Sequence, residues 1–480
     1  MNAFAAGAAR IGRASQTKTL LLVLICVAQF MVILDVAVVN VALPEIRGSL
    51  HLTTAGLQWV VNAYTLTFAG LLMLGGRASD LIGRRRVLLA GIAVFTLASL
   101  GCALAQSSSM LIAARAIQGI GGAIVSPASL AIITTSFAEG GERNRALGIW
   151  GAIGGIGGAS GALLGGLLTQ GLGWQSVFVI NVPIGLAVLA LAPRIIPEGR
   201  AELGHRHFDL AGALLVTGGF VALVYGIVRT EALGWGTLGT LGPIAGGIAA
   251  LAIFVLVEGR FAKAPLVPLR IFRQQRLRAA NTVVLVLYSG VFALWFFLSL
   301  YLQEVLGYDA IETGLAFLPM TLTVALSAAR APRVLARLGA RLTITLGMSA
   351  AALGLLELTL MRPGGSFWLI APGGLLASAG LGLTLVPATV IAVQGVPREL
   401  AGAASGLLNT ARLLGGALGL AVLTTIADSR TRPVTDGYSA ALLVAAIVVG
   451  AGALAASVWL RDRAVKNTVA EGAPAQQTVS

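Results

Sequence analysis

Fourteen stretches of the chain are apolar for about the length of a membrane crossing: 19–42, 55–75, 87–105, 110–133, 145–168, 176–196, 209–229, 239–258, 277–303, 312–330, 341–361, 367–393, 403–427 and 438–460. A helix needs about 20 apolar residues to cross the hydrocarbon core. The runs are twice strand length and do not alternate polar with apolar, which excludes a membrane β-barrel. Interior Gly and Pro are no obstacle in this setting. The pattern predicts an all-α membrane protein. Its parts are a tail (1–18), six helices (19–200), two additional helices (201–262), a linker (263–276), six more helices (277–462) and a second tail (463–480).

Composition sharpens this picture. Apolar residues make up 57% and charged residues 11%, where a soluble protein carries about 25% charged. Too few charges remain to solvate several soluble domains, and disorder is excluded by the same numbers. The net charge of +14 does not point to nucleic acid, because the basic residues sit in short clusters between apolar runs. Such clusters mark loops facing cytoplasm. With the N-terminus inside, Arg47, Arg229, Arg362, Arg430 and Arg432 fall outside, Arg115 and Arg412 lie within spans, and the rest of the 33 basic residues fall inside. Both termini are thus expected in the cytoplasm, and the first span is expected to be retained, since no small-residue cleavage site follows it. Thirty arginines against three lysines suggest a GC-rich, bacterial genome. Cys26 and Cys102 lie in apolar runs, and His51, His205 and His207 form no metal-ligand spacing, so neither a disulfide nor a metal is expected.

The chain repeats itself. Gly76-Arg77 … Gly83-Arg84-Arg85 … Gly91 returns 256 residues later as Pro332-Arg333 … Gly339-Ala340-Arg341 … Gly347. A second pair aligns Gly119-x-Gly121 … Pro127-Ala128 with Gly380-x-Gly382 … Pro387-Ala388. Spans 2–4 therefore correspond to spans 10–12. In transporters such repeats build a site near the midplane.

Charges inside the membrane are costly and mark function by default. Asp35 lies roughly 10 Å, and Arg115 roughly 8 Å, from the same membrane face at 1.5 Å per residue. The two can pair, which would hold Asp35 ionised until a proton or a substrate cation competes. A purely structural pair fixing the packing of spans 1 and 4 is the alternative. Glu357 is a second proton-coupling candidate, or only a surface partner of Arg362. Candidate cavity residues are Asn40, Tyr64, Gln118, Trp295, Asn409 and Arg412.

The loop Gly76-Arg-Ala-Ser-Asp80-Leu-Ile-Gly83-Arg84-Arg85-Arg86 resembles the signature loop of the major facilitator superfamily, where it locks one state of two rocking halves. The second copy has Ala336 in place of Asp80, so the lock would be one-sided. Arg115 … Gln118-Gly119 is similar to the superfamily's proton-relay motif. Leu34-Asp35 … Asn40 … Pro44, Gln58-Trp59, Tyr64, Gly173-Trp174 … Asn181-Val-Pro183-Ile-Gly185 and Tyr301-Leu-Gln303 … Pro319 resemble the fourteen-span drug:proton antiporters of the EmrB and QacA type. Gly148 … Gly157-Gly-Ala-Ser-Gly161-Ala162 … Gly165-Gly166 resembles the exporters' antiporter motif, with Ala162 replacing its proline; generic small-residue packing is the plainer reading.

The resemblance spans about 20–427. It implies the major facilitator fold, with Gly76, Asp80, Gly83, Arg84, Arg85, Gly157 and Gly161 in conformational gating. It implies a monomeric proton-driven exporter of hydrophobic or amphipathic compounds in the cytoplasmic membrane, with protons and lipid as its other partners and no cofactor. An exporter of one metabolite, or an uptake symporter, shares the scaffold. An enzyme or receptor is disfavoured, since no Walker loop, soluble domain or nucleophile cluster is present. The two additional helices are expected at the periphery.

Overall fold

The computed structural model describes residues 2–138, 141–198, 209–260, 269–394, 401–429 and 434–460. They form helices joined by tight turns: α1 (Asn2–Leu50), α2 (Thr54–Ile82), α3 (Arg84–Ala103), α4 (Ser108–Ser136), α5 (Gly141–Leu172), α6 (Ser176–Val179), α7 (Asn181–Ile195), α8 (Leu210–Leu233), α9 (Leu238–Arg260), α10 (Gln275–Leu300), α11 (Ala310–Glu357), α12 (Phe367–Val393), α13 (Ala401–Asp428) and α14 (Val434–Trp459). A 3₁₀ turn precedes α10, and a π turn, Tyr301–Val305, extends it. The end of the bundle carrying the 51–53 turn is called upper, and the end carrying Gly83 lower.

Among the described residues thirteen helices are long and apolar enough to cross a membrane. The spans expected at 312–330 and 341–361 are two helices that meet directly at Gly339, the first running on through 331–338, and α11 comprises both. The 48 residues of α11 would reach about 72 Å if straight, more than twice the hydrocarbon core. It is not straight. Gly339 takes φ 77°, a conformation that suits only glycine without strain, and folds the element into two arms. Both arms meet neighbouring turns of α12: Val324 and Ser327 of the first lie against Gly382, and Gly347 and Ala351 of the second against Gly380. The expected span at 176–196 is present as Ser176–Ile195, with α6 and α7 joined through Ile180 in helical conformation; one backbone bond is missing there because Pro183 brings no N–H for the Val179 carbonyl. Gly83, at φ 124°, makes the corresponding sharp turn between α2 and α3.

Helices α1–α7 pack mainly with one another, as do α10–α14. A methyl group at Gly121 would stand 2.6 Å from the Phe95 nitrogen, and one at Gly380 would stand 2.5 Å from the Ala351 nitrogen. Residues 95 and 351 are 256 apart, so α3–α4 and the second arm of α11 with α12 are one packing unit used twice. The register read from sequence needs a correction in α4. Gly121, not Gly119, does the work of Gly380; Gly119 instead lets α4 approach Tyr64 and Thr67 of α2. Helix α8 lies over the seam between α2 and α13, through Val224 and Val228 against Leu66, Ala69, Leu414, Ala417 and Ala421. Helix α9 packs on α8 and is otherwise largely exposed.

The two groups are tied at the upper end. Ser299 donates to the Asn40 carbonyl (2.6 Å), Gln303 to the Val41 carbonyl (2.9 Å), Gln170 to Asp309 (3.1 Å), and Arg47 pairs with Glu304 (3.0 Å). Helix α5 reinforces this closure. Gly157, Gly161 and Gly165 receive Ile33, Ala37 and Val38 of α1, while Gly166 receives the backbone of Ala310. Lower down, a methyl at Gly148 or Gly151 would meet nothing within 4 Å. The upper end is thus closed across α1, α5, α10 and α11.

Candidate functional site

The chain places one fully buried ion pair inside the first group. Asp35 is 1% exposed and Arg115 2%, and Arg115 Nη1 donates to Asp35 Oδ2 at 2.5 Å. The shared depth read from the sequence is met. Asp35 Oδ1 accepts from the Gln118 amide (2.7 Å) and the Asn181 amide (3.0 Å). Arg115 also donates from Nε to the Val60 carbonyl (3.0 Å) and from Nη1 to Gln118 Oε1 (2.6 Å), with its guanidinium 4.3 Å from the Tyr64 ring centroid. Ser99 completes the cluster, accepting from Gln118 at 2.7 Å and donating to the Phe95 carbonyl at 2.8 Å.

Helix geometry explains the assembly. Arg115 and Gln118 are one turn apart on α4 and so share a face. Asp35 reaches them from α1, Ser99 from α3 and Asn181 from the first turn of α7. Five helices thus converge on one carboxylate and one guanidinium. A buried charge must be paired and hydrogen-bonded to persist, and here three donors meet the carboxylate. Chemically the cluster can hold or release one proton at Asp35. Protonation removes the negative partner of Arg115 and leaves its charge uncompensated in a dry interior, so proton binding and the packing of α1 on α4 are linked.

Tyr64 and Gln118 stand within this cluster, with no surface toward the space between the groups in the closed-above state. Asn40, half-buried, carries the carbonyl that Ser299 binds, and its amide donates to the Val36 carbonyl at 3.1 Å. The other sequence candidates lie in the second group. Trp295 packs edge-on against Phe317, Arg412 lies 5.7 Å from the Tyr288 ring centroid, and Asn409 is half-buried on α13. Glu357 touches Gly373 of α12. The structure therefore brings Asp35, Arg115, Tyr64 and Gln118 together and keeps Glu357, Trp295, Asn409 and Arg412 apart from them.

Of the gating candidates, the side chain of Asp80 lies outside the described residues. Gly76 borders Pro127, and Arg84 opens α3. Arg85 donates to the Pro193 and Ile196 carbonyls at 3.2 and 3.3 Å and meets Glu198, so it closes the carbonyl end of α7. Two exposed carboxyls outside the membrane-spanning segments are held below the usual carboxylate range. Lys18 does this for Glu142, and the Glu312 backbone N–H, at the start of α11, does it for Asp309.

Sequence reasoning missed Ser99 and the role of Asn181. Asn181 was visible only as part of a resemblance. Ser99 gave no signal, since a serine in a helix commonly bonds its own backbone.

Two repeated groups of membrane-length helices, closed at one end, with a saturated ion pair inside the first, define a membrane transporter of the rocking type. Residues 25–420 match the Major Facilitator Superfamily, and the chain belongs to that family. It is 46% identical to the cephamycin export protein of Amycolatopsis lactamdurans, covering 88% of each chain. It is 41% identical to the puromycin resistance protein of Streptomyces alboniger, covering 85% of this chain and 82% of that one. In fold it is similar to a bacterial homologue of the human lysosomal transporter Spinster (TM-score 0.65, 17% identity, 92% of this chain and 96% of that one).

Proposed function

We propose that this protein is a proton-driven exporter of hydrophobic or amphipathic antibiotics and related small molecules. Export is supported by relatives named for cephamycin export and puromycin resistance over most of their length. Proton coupling rests on one observation: a fully buried carboxylate, Asp35, whose only cationic partner among the described residues is Arg115. The first of those relatives is named for one antibiotic class, which favours a dedicated exporter as the second reading.

The geometry supplies a route from proton to motion. Asp35 and the two carbonyls that tie α1 to α10, on Asn40 and Val41, lie on the same helix, roughly 8 Å apart at 1.5 Å per residue. A shift of α1 when Asp35 is protonated therefore acts directly on the upper closure. By the charge distribution of the loops, the upper end faces out and both termini face the cytoplasm. With the arms of α11 each crossing, the chain makes fourteen crossings in the EmrB and QacA arrangement, as a monomer divided at the limits given above. It needs no cofactor besides the proton gradient.

Uptake of cefoxitin and puromycin into everted vesicles tests this reading. Transport should appear with an imposed proton gradient, collapse with an uncoupler, and vanish in Asp35→Asn with protein still in the membrane. Gradient-driven transport by Asp35→Asn at the wild-type rate would remove Asp35 from the mechanism.

A further inference from the structure

Helical geometry at 3.6 residues per turn puts Ala55, Asn62, Leu66, Ala69 and Met73 on one face of α2, with Gln58 one turn above Asn62. That face looks toward α13. Thr410 donates to the Ala69 carbonyl at 3.4 Å, Met73 lies against Gly406, and Leu66 and Ala69 share a core with Leu414, Ala417 and Ala421. Asn62 therefore stands at the seam between the two groups, beneath the upper closure. It is 0% exposed and Gln58 is 1% exposed. Neither amide atom of Asn62 has a hydrogen-bond partner among the described residues, and neither does Gln58 Oε1.

A buried amide left unpaired is strongly disfavoured, and a leucine would serve a permanently dry seam better. On the opposite face of the same turn of α2, which Val60 and Tyr64 present to Arg115, both Asp35 carboxylate oxygens are met. The seam is not permanent, however. It lies at the boundary that must part at the top when the upper end opens.

We propose that Asn62, with Gln58, is a hydrogen-bonding station for the transported molecule on the exit side, exposed when the upper end opens. The station rests on the export reading and adds a ligand chemistry to it. A carboxamide presents a donor and an acceptor side by side, which pairs with an amide, lactam or carbamoyl edge. Being uncharged, it selects for that edge and not for cations. A molecule leaving the closed-below state meets it last, so it acts on release and not on capture from the cytoplasm.

Two measurements test this. In everted vesicles, Asn62→Leu should lower the maximal rate for cefoxitin and puromycin, which carry amide edges, about tenfold with KM little changed. Tetraphenylphosphonium, which has no hydrogen-bonding group, should be moved as by wild type. Asn62→Gln should recover part of the loss. An unchanged rate for the amide probes, or an equal loss for all three, overturns the station.

The second measurement needs no transported ligand. Asn62→Cys in proteoliposomes should resist an impermeant thiol reagent. It should become at least tenfold more reactive when Arg47→Ala and Glu304→Ala loosen the closure. A thiol that stays protected in the loosened protein is permanently buried, which also overturns the proposal. Wild-type vesicles that move none of the three probes would refute the export reading, while the thiol measurement still decides whether the station opens.

Discussion

The two copies of the repeat share a backbone packing and differ in what they put inside it. Where α3 and α4 enclose Ser99, Arg115 and Gln118, the register fixed by the 95/351 and 121/380 contacts places Leu355, Gly374 and Ala377 in the second copy. Leu355 and Ala377 are fully buried, and the fully buried Met320 fills the space against Gly374. The same helix pair thus closes over hydrocarbon in one half and over a hydrogen-bonded ion pair in the other. The fold does not require the cluster. Replacing a buried ion pair by well-packed hydrocarbon is often neutral or stabilising, whereas removing one partner is strongly destabilising. The first half therefore carries Asp35 and Arg115 for what they do, with the second half as the internal control for what the fold needs.

The largest effect that would break this comparison comes from dismantling the pair. Arg115→Leu alone should destabilise the protein by about 3–5 kcal/mol, because it strands the Asp35 carboxylate. Replacing the pair by hydrocarbon, with Asp35→Leu, Arg115→Leu and Gln118→Ala together, should recover most of that loss while transport stays absent. Thermal unfolding in detergent beside vesicle transport checks both. A triple variant as unstable as the single one would show that the two halves are not interchangeable.

A smaller effect, equal in the two copies, is expected at the shared contact. Gly121→Ala and Gly380→Ala each push a methyl into the backbone of the preceding helix and should cost about 1–3 kcal/mol as overpacking. Markedly unequal losses would mean the packing unit is not truly repeated.

The upper closure sharpens the comparison at lower energy. Its Arg47–Glu304 pair is about one-third exposed, so Glu304→Gln should change stability by less than about 1 kcal/mol. It should nonetheless shift the population toward the upper-open state, read as spin-label distances across the upper end. Unchanged distances would leave the closure to α5 and the carbonyl contacts alone.

The smallest effect is acid-dependent. Asp309 is held below the usual carboxylate range first by the Glu312 N–H, then by the Gln170 amide of the other group. A lowered carboxyl contributes its stabilisation at neutral pH and loses it as pH falls through its folded value. Acid on the upper side, below the ordinary carboxylate range, should therefore loosen this contact. Gln170→Leu should reduce the response and leave the larger part, which is owed to the Glu312 N–H.

Much of this was legible beforehand, for a simple reason. A bilayer imposes length and apolarity on each crossing, so the spans and their repeat are written locally in the residues. A charge in an apolar run is equally conspicuous, which is why Asp35 and Arg115 stood out and why matching their depths paired them. The tertiary structure decided what local pattern does not encode. It assigned Tyr64 and Gln118 to the ion pair, recruited Ser99 and Asn181, and set the α4 register by a glycine two positions from the one sequence alignment chose. It also laid α8 over the α2–α13 seam. Each of these depends on which faces of distant helices meet, and composition is nearly uniform around helices that are apolar on every side.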